Sequence, residues 1–235
     1  MWLEKNISKG FLWYKDMSKK DIVIFGCGGH AKVVLAEIIN DNVFNVVGFI
    51  DKSPIKKNFI SFNSKKYSVF SDIQEISVYD SELFGIIAIG NNSLRERLSK
   101  DIDNSSLNLK WTSIISKNAI INVNVNIKEG TFIAPGVIIN NSTTIGKHCI
   151  INTSSSIDHD NILKDFSSIA PGVTTAGNVE IGYGSSLGIG CTVEQGIKIG
   201  NNTVIGGQSY VNKNCLDNLV YFGIPAKKIK EISYE

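Results

Sequence analysis

A large aliphatic residue recurs every six positions through the second half of the chain. Counting in sixes over residues 115–211 gives 17 positions, of which 16 hold Ile, Leu or Val; the exception is Thr175. The residue four places after each large one is small, except at Asn161 and Ile197. Three such segments form one triangular coil, which buries its apolar edges only by stacking on the next coil. The spacing therefore predicts an all-β left-handed parallel β-helix of hexapeptide repeats over residues 111–235, ending in a C-terminal tail.

The first half of the chain alternates apolar strands with helices. Three segments have the pattern of strands: DIVIFG at 21–26, VVGFID at 46–51 and ELFGIIAIG at 82–90. The first leads through the turn GCGGH into the helical pattern AKVVLAEIIN, and the third precedes NSLRERLSKDI, a helix with Ser93 as its expected N-cap. This order predicts a small Rossmann-like parallel sheet over residues 21–110, with ligand-binding loops at the carboxyl ends of its strands.

Charge, hydropathy and cysteine spacing narrow the class of protein. A net charge of +2 gives no field that points to nucleic acid. No segment has the apolar core of a signal peptide or the length of a membrane span. The four cysteines form no CxxC pair and lack zinc spacing, which favours a reducing cytoplasm and no metal, with Cys149 and Cys191 packed in the core. Residues 1–20 form an N-terminal extension that is expected to be dispensable up to Met17, a natural start.

An unbroken hexapeptide helix behind a small α/β domain resembles the sugar O- and N-acyltransferases of the PglD/NeuD type. The likeness covers about residues 21–230 and rests on FGCGGHAK, FIDK, AIGNN, INTSSSIDHDNILKDFSSIAPGV, TAGNVEIGYGSSLGIG, IGGQSYV and FGIPAKKIK. The resemblance implies acetyl-CoA as donor and a nucleotide-activated amino sugar or a sialic acid as acceptor. It also implies a homotrimer with active sites between subunits.

Three histidines are candidates for the general base that acetyl transfer requires. His148 lies in an outward slot of a regular repeat, which predicts a solvated surface side chain. His30 follows the glycine turn of the first domain, where contact with a nucleotide is more natural. His159 lies between Asp158 and Asp160, either of which can orient its ring and raise its basicity. The two polar exceptions to the repeat pattern, Asn161 and Thr175, also fall close to it, as expected near a functional site.

The 18-residue coil places Gly177 directly above His159. A glycine at this position leaves space above the imidazole and exposes a backbone N–H, which we expect to polarise the thioester carbonyl. By resemblance, His159 matches the family's catalytic base and Asp160 matches the supporting acid, which is Glu in many members. Asn152 matches a position near the acceptor. Positions that contact acetyl-CoA in the family match Ser168, Ile189 and Gly207.

The glycine turn of the first domain is the expected nucleotide site. The pattern GxGGxA at 26–31 is close to a dinucleotide fingerprint, but the domain is about half the size of the usual dinucleotide fold. A glycine turn at a helix N-terminus also suits a phosphate. The resemblance favours the nucleotide half of an activated sugar, held by Gly28, Gly29, His30, Asp51, Lys52 and Gly90.

These features lead to one leading hypothesis and two alternatives. The leading hypothesis is acetyl transfer to the 4-amino group of a UDP-linked 4-amino-4,6-dideoxy sugar, with His159 as base, for surface-glycan synthesis. One alternative is O-acetylation of sialic acid, which shares the architecture and would not need Asp51. The other is a catalytically silent β-helix scaffold, which periodicity alone does not exclude.

Overall fold

A computed structural model describes residues 19–52, 59–76, 82–105 and 107–232. Residues 1–18 lie outside it, so the expected dispensable segment and Met17 are not among the described residues. Lys20, placed at the end of the extension by the sequence, already belongs to the first strand. The described chain forms an α/β domain packed against a left-handed parallel β-helix.

In its described residues, the N-terminal domain is a six-stranded sheet with two α-helices. Its strands are β1 Lys20–Phe25, β2 Phe44–Ile50, β3 Phe59–Phe62, β4 Lys65–Phe70, β5 Leu83–Ile87 and β6 Leu109–Trp111. Its helices are α1 Gly29–Asp41 and α2 Asn92–Asp103, with a short 3-10 helix at Ile73–Ile76. The strand order is β3-β4-β2-β1-β5-β6, and only the β3–β4 pair is antiparallel. The sheet is thus parallel with one antiparallel edge strand.

Two local features of this domain differ from expectation. The β3–β4 hairpin was not expected from the sequence, although Asn63 and Ser64, both with positive φ, form the two-residue turn that such hairpins use. Asn91 caps α2 instead of Ser93, because the Asn91 side chain accepts from the Leu94 N–H at 2.9 Å. The Ser93 hydroxyl donates to the same Asn91 oxygen at 2.8 Å.

The β-helix has three faces made of two-residue strands. Face 1 contains β7 Ile114–Ile115, β10 Phe132–Ile133, β13 Ile150–Ile151, β16 Ser168–Ile169, β19 Ser186–Leu187 and β22 Val204–Ile205. Face 2 contains β8 Ile120–Ile121, β11 Ile138–Ile139, β14 Ser156–Ile157, β17 Thr174–Thr175, β20 Thr192–Val193 and β23 Tyr210–Val211. Face 3 contains β9 Asn126–Ile127, β12 Thr144–Ile145, β15 Ile162–Leu163, β18 Glu180–Ile181 and β21 Lys198–Ile199. Strands β24 Leu219–Phe222 and β25 Lys227–Glu231 continue face 1.

The six-residue period predicted these strands correctly. Every large position is the second residue of a strand and pairs with residues 18 places away, as Ile139 does with Ile121 and Ile157. From Ile133 onward these side chains are buried, and Cys149 and Cys191 pack in the core as expected. Hydroxyls at the small positions, four places after each large residue, also join neighbouring coils by hydrogen bonds. Each edge of the prism is named for the two faces that it joins. In one coil, edge 1–2 contains residues 152–155 and edge 2–3 contains residues 158–161, and residues 182–185 lie on edge 3–1.

The N-terminal domain covers the first coils of face 1. The outward side chains of Ile114, Phe132 and Ile150, 18 residues apart, are at most 5% exposed because the domain packs on them. Arg95 of α2 is fully buried in this interface and donates to the carbonyls of His148 (2.7 Å) and Phe166 (2.9 Å). Hydrogen bonds to main-chain carbonyls satisfy the guanidinium and fix the orientation of the domain on the β-helix.

The expectation for His148 is wrong. It was expected to be a solvated side chain, but it is only 2% exposed. Its ring stacks on Phe166 at 5.2 Å and meets the edge of Trp111 at 4.9 Å, and burial lowers the pKa of His148 to about 4. An outward slot is solvated only where no other domain covers it, and the repeat pattern does not contain that information.

Candidate active site

His159 lies on edge 2–3, immediately after β14. Its side chain is 53% exposed, and its Nδ1 lies 2.7 Å from Oδ2 of Asp160. The hydrogen bond to Asp160 raises the pKa of His159 above its ordinary value, and the charges of Asp158 and Asp160 act in the same direction. When Nδ1 donates to Asp160, the neutral ring carries its lone pair on Nε2. The arrangement leaves Nε2 as the proton acceptor.

Asp158 holds the main chain beside the ring. Its Oδ1 accepts from the His159 N–H at 2.8 Å and from the Asn140 amide at 2.8 Å, and the Asn140 bond is the main reason that the pKa of Asp158 is lowered. The two flanking acids therefore have different tasks. Asp160 contacts the imidazole, while Asp158 contacts the backbone.

Gly177 stacks on His159 from the next coil, as the register predicted. A Cβ at position 177 would lie 2.5 Å from Cε1 and 2.6 Å from Nε2 of the ring, so any other residue would displace the imidazole. The Asn178 N–H donates to the His159 carbonyl at 2.9 Å and ties the two coils together. Within the described part of the chain, the Gly177 N–H has no hydrogen-bond acceptor. An exposed base therefore lies against a buried glycine whose amide has no partner among the described residues.

The two polar exceptions to the repeat pattern lie beneath this pair. Asn161 is completely buried, and Thr175 is 2% exposed. Both make hydrogen bonds to the main chain of the His159 turn. Polar residues replace apolar or small ones here because the turn that carries the base is anchored from the inside.

The residues expected to bind acetyl-CoA fall into two groups. Ile189, which is 61% exposed, and Gly207 are neighbours on edge 1–2, since the Gln208 N–H donates to the Ile189 carbonyl at 2.8 Å. Ser168 lies on face 1 under the N-terminal domain, where its hydroxyl donates to Asn92 at 2.6 Å. That hydroxyl also accepts from the buried guanidinium of α2 at 3.1 Å. The structure thus gives Ser168 a role in joining the domains.

Asn152 also lies on edge 1–2 and not beside His159. Its side-chain oxygen accepts from the Thr153 N–H at 2.8 Å within its own turn. Within one chain, edge 1–2 carries Asn152, Ile189 and Gly207, while edge 2–3 carries the base. The structure does not bring these two groups together in a single subunit.

The glycine turn opens at the carboxyl edge of the N-terminal sheet. The Asp51 carboxylate, at the end of β2, accepts from the Cys27 N–H at 3.0 Å and so holds the turn against the sheet. A Cβ at Gly28, Gly29 or Gly90 would meet nothing within 4 Å, so packing within the chain does not require glycine at these positions. Their missing side chains leave an open surface where α1 begins and β5 ends. Such a surface suits a ligand that approaches the backbone closely.

His30 turns away from that surface. Its ring packs edge-on against Phe132 at 5.2 Å, and its buried Nε2 has no hydrogen-bond partner among the described residues. Burial, followed by the charge of Arg95, lowers the pKa of His30 to about 4. Of this residue, only the backbone N–H in the first turn of α1 is placed to meet a nucleotide.

A cavity adjoins the glycine turn on the α2 side of the sheet. Its volume is about 340 Å³, within the lower range of small-molecule sites. Apolar side chains such as Ile50 and Ile89 form its walls, and Asp51, Lys52 and Arg97 are among its polar residues. Among the described residues, no group of three His, Cys, Asp or Glu side chains is placed to hold a metal ion. No described helix is long and apolar enough to cross a membrane.

Known proteins are similar to this chain in both the N-terminal domain and the β-helix. Residues 21–102 match the PglD N-terminal domain family. The GDP-perosamine N-acetyltransferase of Escherichia coli O157:H7 is 26% identical over 180 residues, covering 74% of this chain and 78% of that protein. PerB from Caulobacter crescentus, solved with CoA and GDP-perosamine, is 29% identical, with a TM-score of 0.80 over 89% of this chain and 97% of that one.

One further structure shares the fold. The acetyltransferase domain of PglB from Neisseria gonorrhoeae, solved with acetyl coenzyme A, is 23% identical, with a TM-score of 0.81 over 90% of this chain and 100% of that one. The whole described architecture, from glycine turn to β-helix, is therefore that of a known group of enzymes. Residues 21–102 thus match the PglD N-terminal domain family, and the chain as a whole is similar in sequence and fold to N-acetyltransferases named for a nucleotide amino sugar.

Proposed function

We propose that this protein transfers an acetyl group from acetyl-CoA to the amino group of a nucleotide-linked 4-amino-4,6-dideoxy sugar. The observation that carries the proposal is the pair on edge 2–3. His159 is oriented by Asp160, and its ring packs against Gly177, whose N–H has no acceptor among the described residues. Base and oxyanion donor are the two groups that this reaction requires.

The chemistry follows from these two groups. The sugar amine attacks the thioester carbonyl carbon, and the Gly177 N–H donates to the oxygen on which negative charge develops. His159 Nε2 takes a proton from the attacking nitrogen, and Asp160 stabilises the resulting imidazolium. The C–S bond then breaks, and the proton passes to the departing sulfur. The products are the acetamido sugar and free CoA.

The nucleotide binds the N-terminal domain. We place its phosphates at Gly28 and Gly29, where free N–H groups of the first helical turn meet negative charge. We place its nucleoside in the adjoining cavity beside Asp51 and Lys52. The sequence resemblance favours UDP, whereas the similar proteins from E. coli and C. crescentus are named for GDP-perosamine. Both nucleotides are therefore test substrates.

The active site is assembled between subunits of a homotrimer. In one chain the expected acetyl-CoA positions, Ile189 and Gly207, and the base, His159, occupy different edges of the prism. Edge 1–2 of one copy and edge 2–3 of another can face each other only across an interface. The trimer and the cytoplasmic location both remain predictions.

The test is release of CoA thiol from acetyl-CoA in the presence of UDP- and GDP-linked 4-amino-4,6-dideoxy sugars, with free sialic acid as a third acceptor. We expect turnover with a nucleotide amino sugar and a loss of about 10²–10⁴-fold in His159→Ala. Turnover with sialic acid alone would favour the O-acetyltransferase. No thiol release with any acceptor would favour the scaffold.

A further inference from the structure

Asn161 occupies a small position of the repeat. At equivalent positions in other coils, a single hydroxyl is enough to join two coils. One coil earlier, Thr143 fills the same slot, and its hydroxyl donates to the carbonyl 15 residues ahead, that of Asp158, at 2.9 Å. Ser185 and Gly200 make the same contact on edge 3–1 at 2.6 Å. A small hydroxyl residue is thus sufficient to join two coils.

The Asn161 side chain reaches three carbonyls instead of one. Its Nδ2 lies 2.8 Å from the Asp158 carbonyl, 3.0 Å from that of His159 and 2.9 Å from that of Ala176. The last of these is the contact 15 residues ahead that a hydroxyl would also make. The first two are additional and belong to the turn that carries the base. One buried amide therefore connects both coils of the site.

The bond to Ala176 decides where the Gly177 amide points. In a trans peptide the C=O and the N–H point in opposite directions. Asn161 is completely buried and holds the Ala176 carbonyl towards the interior. The N–H of Gly177, on the other side of the same peptide, is therefore directed away from the interior of the prism, and Gly177, itself buried, lies against the His159 ring.

Thr175 fixes the same turn from the other coil. Its hydroxyl oxygen, inside the prism, accepts from the Asp158 N–H at 3.4 Å. The two exceptions to the repeat thus act on one stretch of main chain. Asn161 donates to carbonyls of this stretch, and Thr175 accepts from the Asp158 N–H at the start of the stretch.

The Asn161 side chain has a cost in stability that a Ser or Thr at the same position would not have. The Oδ1 of Asn161 is buried and has no hydrogen-bond partner among the described residues. A buried polar atom without a partner lowers stability, so stability alone would favour Ser or Thr at this position. A locally unfavourable choice of this kind points to a functional requirement.

We infer that Asn161 is a positioning residue for acetyl transfer. It aims the Gly177 N–H at the thioester oxygen and holds the His159 turn beneath it. The inference rests on the proposed function, because it assigns a task to a residue that touches neither substrate. It predicts that Asn161 affects turnover more than substrate binding.

Two substitutions of the same shape separate positioning from packing. Asn161→Thr keeps a hydroxyl that can donate to the Ala176 carbonyl, as Thr143 does one coil earlier. Asn161→Val has the same size and no donor. Thr203→Val is the matched control, since Thr203 occupies the same slot on edge 3–1 and donates to the Leu216 carbonyl at 2.6 Å. Each variant is assayed well below its own unfolding temperature.

We expect Asn161→Val to lower kcat by about 10²-fold, the typical effect of losing one oxyanion donor. The KM for acetyl-CoA should stay within a few-fold of wild type. Asn161→Thr should lose less turnover than Asn161→Val, because it keeps the bond to the Ala176 carbonyl and loses only the two bonds to the His159 turn. Thr203→Val should keep the wild-type turnover. If Asn161→Val is not folded, the pair Asn161→Ser and Asn161→Ala makes the same comparison with smaller side chains.

Three results would overturn the inference. These are wild-type kcat in Asn161→Val, an equal loss in Thr203→Val, or an equal loss in the Thr and Val variants at position 161. Failure of the proposed function has a different signature. In that case the wild-type protein itself would transfer no acetyl group, or His159→Ala would keep the wild-type rate.

Discussion

The backbone of Gly177 lies so close to the imidazole of His159 that a β-carbon would stand 2.6 Å from Nε2. The φ angle of Gly177 is not positive, so glycine is not required there by the backbone. It is required by the ring one coil below. This contact gives the first prediction, since the smallest possible side chain should already disturb the site.

Gly177→Ala should lower kcat by about 10²-fold or more, because the methyl group must push the ring away from the attacking amine. Thermal stability should change little, since the ring is exposed and free to move outwards. The matched control is Gly196→Asn on the same edge. Gly196 has a positive φ and open space, and Asn178 occupies the equivalent position one coil earlier with φ of 59°. Equal turnover in Gly177→Ala and the control would contradict the prediction.

The pH profile tests the pairing of His159 with Asp160. His159 acts as a base only when neutral, so kcat/KM should rise with pH through its pKa. The hydrogen bond to Asp160 raises that pKa above the ordinary value. Asp160→Asn removes the carboxylate, so the midpoint of the profile should move to lower pH and the plateau should fall. A midpoint that stays in place would show that Asp160 does not act on His159.

Much of this site could be predicted from the six-residue period, because stacking of identical coils fixes which residues lie above one another. The positions of Gly177 and of the two polar exceptions follow from counting alone. The burial of His148 and the contacts of Ser168 do not follow from counting. Both side chains point outwards, and their surroundings depend on α2, which is distant in sequence. The apolar series Ile114, Phe132 and Ile150 was the available signal that face 1 is covered.

The interface between the N-terminal domain and face 1 gives a prediction for the stability of the protein in acid. His148 has a pKa of about 4 in the folded chain and about 6.5 when unfolded. Between these values the unfolded state binds more protons, so stability falls as pH falls through this window. From about pH 7.5 to about pH 5, His148 should account for a loss of about 2 kcal/mol in the free energy of unfolding.

His148→Phe removes that loss, and Phe166 shows that a Phe is tolerated one coil later at a similar positive φ. Urea unfolding at both pH values gives the comparison. The control is His159→Gln, which replaces an exposed histidine and should leave the acid-linked loss in place. If His148→Phe loses as much stability in acid as wild type, His148 is not buried in its neutral form.

The separation of the two edges predicts that inactive variants complement each other. His159→Ala lacks the base on edge 2–3, and Gly207→Trp places a large side chain beside the exposed Ile189 on edge 1–2. Each variant alone should be inactive. In trimers formed by random mixing of equal amounts, about one quarter of the sites would combine an intact base with an intact edge 1–2 from a neighbour, so about a quarter of wild-type activity should return. Mixing His159→Ala with His159→Gln controls for effects of assembly and should restore nothing. Absence of recovery in the first mixture, with mixed trimers confirmed by mass, would place both edges of each site in a single chain.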